Sequence, residues 1–307
     1  GLIMYFILNL RRIYMGVKER VQEISNNKNV KIGMGPVTAK IELTGRCNFD
    51  CLYCNHHDMA QRNERQRIMS ADDFDTVINY INGFDTLKEV GLFYMGEAGL
   101  VNNLDSYYKK IKDNGYFTYL TTNGSYIKNI VKAIPYIDSL KVSWNYSDPE
   151  DFIYKTGKDL NTYYTIKSNI NILKKECNKQ GKKLCVSTIL DKDKEEYQDV
   201  LSSLNYDEHY FIVYQSQGGT NKHGGKEGVV GESEQPSSPI PCWSLFKGLY
   251  IDCDLNVRCC TYGHHDYQIL GNIKDPMNIQ SKEKYETQQL AGQIPSICTE
   301  CLKFEKL

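Results

Sequence analysis

Cys47, Cys51 and Cys54 stand in CxxxCxxC spacing within TGRCNFDCLYCNH, and Cys242, Cys260, Cys298 and Cys301 form a second group toward the far end of the chain. Thiolates are soft, anionic ligands that suit iron–sulfur clusters and zinc alike. A cubane cluster is ordinarily held by four of them, so the first group would leave one iron open to another ligand. The second group could close a cluster completely, although a CxxC pair such as Cys298 and Cys301 also serves zinc. Zinc at the first group would need a further donor such as His56 or His57.

The eleven cysteines gather in short-spaced sets at both ends of a 307-residue chain, a grouping that reads as metal ligation rather than a disulfide framework. That places the protein in a reducing compartment, the cytoplasm. With 37 basic against 38 acidic side chains and no long like-charged run, nucleic acid is not an expected partner. The apolar opening GLIMYFILNL is too short to span a bilayer and reads as an amphipathic helix.

Positioning elements follow from the pattern of apolar residues. Short β-like runs alternate with longer helical ones, the signature of a parallel α/β fold. Strands are expected at Ala39 to Thr44, Leu87 to Met95, Tyr116 to Thr122, Ser139 to Trp144, Lys183 to Leu190 and His209 to Gln215. Phe74, Val77, Ile78 and Ile81 recur at helical spacing behind the N-cap candidate Ser70. The first cysteine loop therefore follows the first strand, at the strand end where β/α barrels carry their chemistry. Residues 1–35 read as a helical extension, 36–215 as a β/α unit, 216–241 as a Gly-, Ser- and Pro-rich lid or flexible loop, and 242–307 as a cysteine-rich domain with a helix at Lys282 to Leu290.

CNFDCLYC, with Tyr53 before its last cysteine, resembles the signature of the radical S-adenosylmethionine (SAM) superfamily. The resemblance implies a partial (β/α)6 TIM-like barrel in which Cys47, Cys51 and Cys54 hold three irons of a [4Fe–4S] cluster while SAM chelates the fourth. It places Tyr53 near the adenine. GLFYMGEAGL resembles the family's GGEP segment, with Met95 and Ala98 in place of its glycine and proline, which carries over Gly96 and Glu97 as contacts to the methionine amino group. TYLTTNGSY and LKVSWNYSDP resemble later strand ends of the family and nominate Thr122, Asn123, Ser143 and Asn145 as cosubstrate contacts; each could equally be satisfying loop backbone.

The layout from PCWSLFKGLYIDCDLNVRCC to CTEC resembles the SPASM/Twitch extension, a small α+β domain, in its shorter form with one auxiliary [4Fe–4S] cluster on Cys242, Cys260, Cys298 and Cys301. Cys259 is the alternative to Cys260. Cys177, Cys185 and Cys253 read as packed thiols, with a hydrogen-atom donor as the other possibility. No catalytic acid or base is singled out, although Asp254, Asp266, His264 and His265 lie near the second group.

The resemblance implies an electron donor such as reduced flavodoxin or ferredoxin, cleavage of SAM to a 5′-deoxyadenosyl radical, and hydrogen abstraction from substrate. The one-cluster layout resembles that of the dehydrogenase of 2-deoxy-scyllo-inosamine, so the expected reaction is oxidation or epimerisation of a sugar-like or aminocyclitol-like metabolite. Peptide modification, as in maturation of ribosomal peptides, is the alternative. A non-catalytic scaffold would have no need of the Glu97 carboxylate.

Overall fold

The computed structural model describes residues 29–54, 56, 66–213, 241–260 and 268–298. The expected helix at the start of the chain, the last two residues of the expected strand His209 to Gln215, residues 216–240 of the loop, His57, His264, His265, Asp266 and Cys301 lie outside them.

Among the described residues nine strands form one sheet in the order β6-β5-β4-β3-β2-β1-β7-β8-β9. They are β1 (Thr38–Ile41), β2 (Glu89–Gly91), β3 (Phe117–Thr122), β4 (Ser139–Ser143), β5 (Leu184–Leu190), β6 (Glu208–Val213), β7 (Gly248–Ile251), β8 (Asn256–Arg258) and β9 (Ile269–Asn272). Strands β1 to β6 pair in parallel in chain order, as buried β/α units do. Strand β7 adds to the free side of β1 in parallel, Thr38 opposite Gly248, and β8 and β9 continue antiparallel. The cysteine-rich part thus extends the same sheet instead of building one of its own.

The helices among the described residues are α1 (Ala71–Ile81), α2 (Leu104–Asp113), α3 (Lys128–Ala133), α4 (Pro149–Thr156), α5 (Leu160–Lys179), α6 (Gln198–Ser202), α7 (Trp243–Lys247) and α8 (Glu283–Leu290). In α1 the Ser70 hydroxyl accepts from Asp73 N at 3.1 Å, and Phe74, Val77, Ile78 and Ile81 are buried at the expected spacing. Asp148 and Asp159 cap α4 and α5 in the same way. Gly157, in left-handed conformation at φ 66°, ends α4.

Alternation along the strands separates two faces. Val142 meets Ile166 of α5 around Gly124, so Leu140, Val142, Leu184 and Val186 face the helices. Lys141, Ser143, Cys185, Ser187 and Tyr210 consequently share the opposite, inner face.

The second strand is shorter than its apolar run suggests. Leu92 to Glu97 leave the ladder because Gly96 must cross the loop after β1, where an added Cβ would lie 1.9 Å from Thr44 O. Glu97 N then donates to Arg46 O at 2.8 Å.

Candidate functional site

The loop after β1 carries Cys47, Cys51 and Cys54, and its backbone turns toward the sulfurs. Phe49 N lies 3.5 Å from Cys47 Sγ and His56 N lies 3.5 Å from Cys54 Sγ, both as donors. Burial first, and then the Glu97 carboxylate, pushes the Cys47 thiol up to about 12. Burial also raises Cys54 to about 11, and burial with the neighbouring Cys54 raises Cys51 well above its ordinary range. Three crowded sulfurs that resist ionisation one by one are suited to cationic irons, which stabilise all three thiolates together. Three thiol ligands with amide N–H groups aimed at two of their sulfurs fit an iron–sulfur cluster.

The loop is anchored from outside. Leu52 N donates to Lys155 O of α4 at 2.9 Å, Phe49 packs edge-on against Phe152, and His56 Nε2 bonds to Gly45 O at 2.9 Å. Tyr53, half-buried, meets Asn145: Asn145 Nδ2 donates to the Tyr53 hydroxyl at 3.0 Å and Asn145 Oδ1 accepts from Ile189 N at 2.8 Å. Tyr146 approaches the same hydroxyl at 3.2 Å. Burial holds the Tyr53 phenol far above its ordinary range, so it stays neutral.

Behind Asn145 lies a buried ion cluster that sequence reasoning missed. Lys155 Nζ donates to Asn145 O at 2.9 Å and pairs with Asp151 at 2.9 Å and Asp191 at 2.8 Å. Lys192 joins Asp151 at 3.1 Å. The i, i+4 spacing of Asp151 and Lys155 announces one pair, but the cluster as a whole forms only when the ends of β4 and β5 meet α4.

Gly96, Glu97, Thr122 and Asn123 come together around Cys47. Glu97 Oε1 accepts from Gly99 N and from the Thr122 hydroxyl, both at 2.8 Å, and Oε2 accepts from Asn123 N at 2.8 Å. The carboxylate caps the turn Ala98–Leu100, yet it is buried and not on the surface. Burial raises its pKa against the lowering pull of those three donors. Asn123 Nδ2 reaches Asn48 Oδ1 at 3.1 Å and Cys47 Sγ at 3.9 Å. Ser143 stands apart on the inner face opposite Ser187, whose hydroxyl is fully buried without a hydrogen-bond partner among the described residues. Next to this row Lys141 Nζ donates to the Tyr210 hydroxyl at 3.1 Å.

Of the second group, Cys242, Cys260 and Cys298 are described. Gln289 of α8 connects two of them, its Oε1 accepting from Cys242 N at 2.7 Å and its Nε2 donating to Cys298 Sγ at 3.5 Å. Cys259 is fully buried in the hydrophobic core, whereas Cys260 lies at its margin, which favours Cys260 as the accessible ligand. Cys177, Cys185 and Cys253 are also buried. The two cysteine regions touch through the loop after β2: Tyr94 OH donates to Cys260 O at 3.2 Å. Glu42, buried beside it, accepts from Met95 N at 3.1 Å and from Cys253 N at 3.2 Å.

The model of the radical SAM superfamily matches residues 41–206. A putative glycyl-radical enzyme activating enzyme of Methanocaldococcus jannaschii is 30% identical over 115 residues, 38% of this chain and 42% of that protein. A probable GTP 3',8-cyclase of Methanothermobacter marburgensis is 28% identical over 128 residues, 40% of each chain. The chain thus spans about two fifths of the length of these curated relatives. Among solved structures, BtrN in complex with AdoMet and 2-DOIA aligns with TM-score 0.55 and 12% identity over 87% of this chain and 93% of that one. Streptococcus suis SuiB bound to S-adenosylmethionine aligns with TM-score 0.62 and 15% identity over 90% and 73%, and anSMEcpe with bound AdoMet with 0.59 and 14% over 88% and 87%. At these identities the structural likenesses establish a shared fold.

Proposed function

The chain belongs to the radical SAM superfamily, and from that membership we propose an enzyme that abstracts hydrogen from a small polar, sugar-like or aminocyclitol-like metabolite and leads it to oxidation or epimerisation. Cys47, Cys51 and Cys54 would hold the SAM-binding cluster, and Cys242, Cys260, Cys298 and Cys301 an auxiliary one. The chemistry these groups supply when bound is reductive cleavage of SAM to a 5′-deoxyadenosyl radical at the first and acceptance or relay of an electron at the second.

The observation that carries the two-cluster reading is the β1–β7 pairing, with its extensions through Glu42 and Tyr94. It brings the C-terminal cysteine segment against the loop that bears Gly96 and Glu97. Around the first group the chain's own residues have positioning work. Glu97 ties the β2 and β3 strand ends together, Asn123 reaches toward Cys47, and Asn145 holds Tyr53. The inner face supports a polar substrate, since Lys141, Ser143, Ser187 and Tyr210 present ammonium and hydroxyl groups there.

Anaerobically reconstituted, reduced protein mixed with SAM should release 5′-deoxyadenosine, and about eight irons per chain are expected if both sites hold cubanes. No release from protein with verified clusters would overturn the proposal. Substrate class is then read from deuterium: transfer into 5′-deoxyadenosine from labelled aminocyclitols or sugars supports a metabolite substrate, and transfer from labelled peptides alone replaces it with peptide modification.

A further inference from the structure

Helix α8 buries a polar stripe where an apolar one would be ordinary. Glu286 and Gln289 are 3% and 1% exposed, and Lys282, just before the helix, follows the same i, i+4, i+7 spacing. Burying such groups is unfavourable unless each finds a partner. Each grips a different segment: Lys282 Nζ donates to Leu245 O and Gly248 O, Glu286 accepts from Gly33 N at 2.8 Å, and Gln289 bridges Cys242 and Cys298. Lys282 and Glu286 thereby fix the axis on which Gln289 is held.

The orientation of the Gln289 amide follows from its neighbours. A backbone N–H can only donate, so the carbonyl oxygen must face Cys242 N, and this turns the NH2 group onto Cys298 Sγ at 3.5 Å. A leucine or methionine would fill the space without serving either partner. A glutamate would serve the first and repel the second.

We propose that Gln289 is a positioning residue of the C-terminal iron–sulfur site, clamping two ligand segments and raising, through its N–H···S bond, the potential at which the bound cluster takes up an electron. The inference rests on the two-cluster reading proposed above. Reduction adds negative charge to the sulfurs, so a donor aimed at one of them stabilises the reduced form more than the oxidised form. The proposed reaction benefits directly, since an acceptor must lie high enough to draw an electron from a substrate radical.

The test uses the reconstituted full chain and its Gln289→Met and Gln289→Glu variants, each followed by iron content and EPR-monitored redox titration. For Gln289→Met, the reduced-to-oxidised ratio of the C-terminal cluster at a fixed potential should fall about tenfold, equivalent to about 59 mV for one electron. The SAM-binding cluster, in the same sample, should not move. Gln289→Glu keeps the acceptor for Cys242 N and removes the donor, so it should load iron and shift at least as far in the same direction, even where Gln289→Met loads poorly. Unchanged potentials in the loaded variants overturn the role of Gln289 and leave the two-cluster reading intact. A wild-type chain with about four irons and zinc at the C-terminal cysteines overturns the cluster reading itself, and this inference with it.

Discussion

Glu97 shows how much a single side chain depends on what surrounds it. Its carboxylate gathers Gly99 N, the Thr122 hydroxyl and Asn123 N within 2.8 Å, so a residue flagged from a short motif also closes the gap between two strand ends. Ser187 is the opposite case, a buried hydroxyl on the inner face with no partner among the described residues. An unsatisfied buried hydroxyl is unfavourable by about 1–3 kcal/mol. Ser187→Ala should therefore leave the free protein as stable as the parent or more stable by about 1 kcal/mol in urea denaturation. A clear loss of stability would mean that ordered water satisfies the hydroxyl. One-residue differences decide the cysteines as well: in the bend just past β8, Cys259 is buried in the core and Cys260 lies at its edge.

Among the elements, α4 does more than cover the sheet. Its Lys155 carbonyl holds Leu52 N of the cysteine loop, and its Lys155 ammonium holds Asn145 O between Asp151 and Asp191. Lys155→Met leaves the buried Asp151 with only Lys192 and the half-buried Asp191 without that cation, and should cost about 3 kcal/mol, measured by chemical denaturation. Helix α1 is tied to the C-terminal part more weakly. The hydrogen bond from Lys274 to Asp73, at 2.9 Å, holds that carboxyl below its ordinary value, helped by Ser70 and Arg67 and opposed by burial. A lowered folded-state pKa gives stability that is present above the ordinary carboxylate value and is lost as pH falls through the lowered one. Asp73→Asn should thus be less stable by about 1 kcal/mol at neutral pH, with Lys274 and Arg67 partly solvated, and the difference should shrink below about pH 4.

At the scale of the molecule, the pairing of β1 with both β2 and β7 makes the first cysteine loop depend on the last part of the chain. Leu245, Phe246, Leu249 and Ile251 belong to the same hydrophobic core as Ala39 and Ile41. A fragment ending at residue 215 would expose the β1 edge and that apolar surface, and would strip Glu42 of the Cys253 N–H. We expect it to aggregate or to lack a cooperative unfolding transition by circular dichroism, whereas the full chain unfolds cooperatively. A stable, soluble 36–215 fragment would make the cysteine-rich part an independent attachment.

Strand and helix order, the α/β class and the spacing of the two cysteine groups are local properties, and local periodicity and side-chain chemistry were sufficient to read them. Phe74, Val77, Ile78 and Ile81 announce their helix because its buried face is a matter of 3.6-residue spacing alone. Beyond the i, i+4 pair of Asp151 with Lys155, the Lys155 ion cluster is not announced, nor are the early end of β2 and the bridge of Gln289 between Cys242 and Cys298. Each depends on a partner in another segment, Asn145 and Asp191, Thr44, and Cys242, which comes within reach only in the folded sheet.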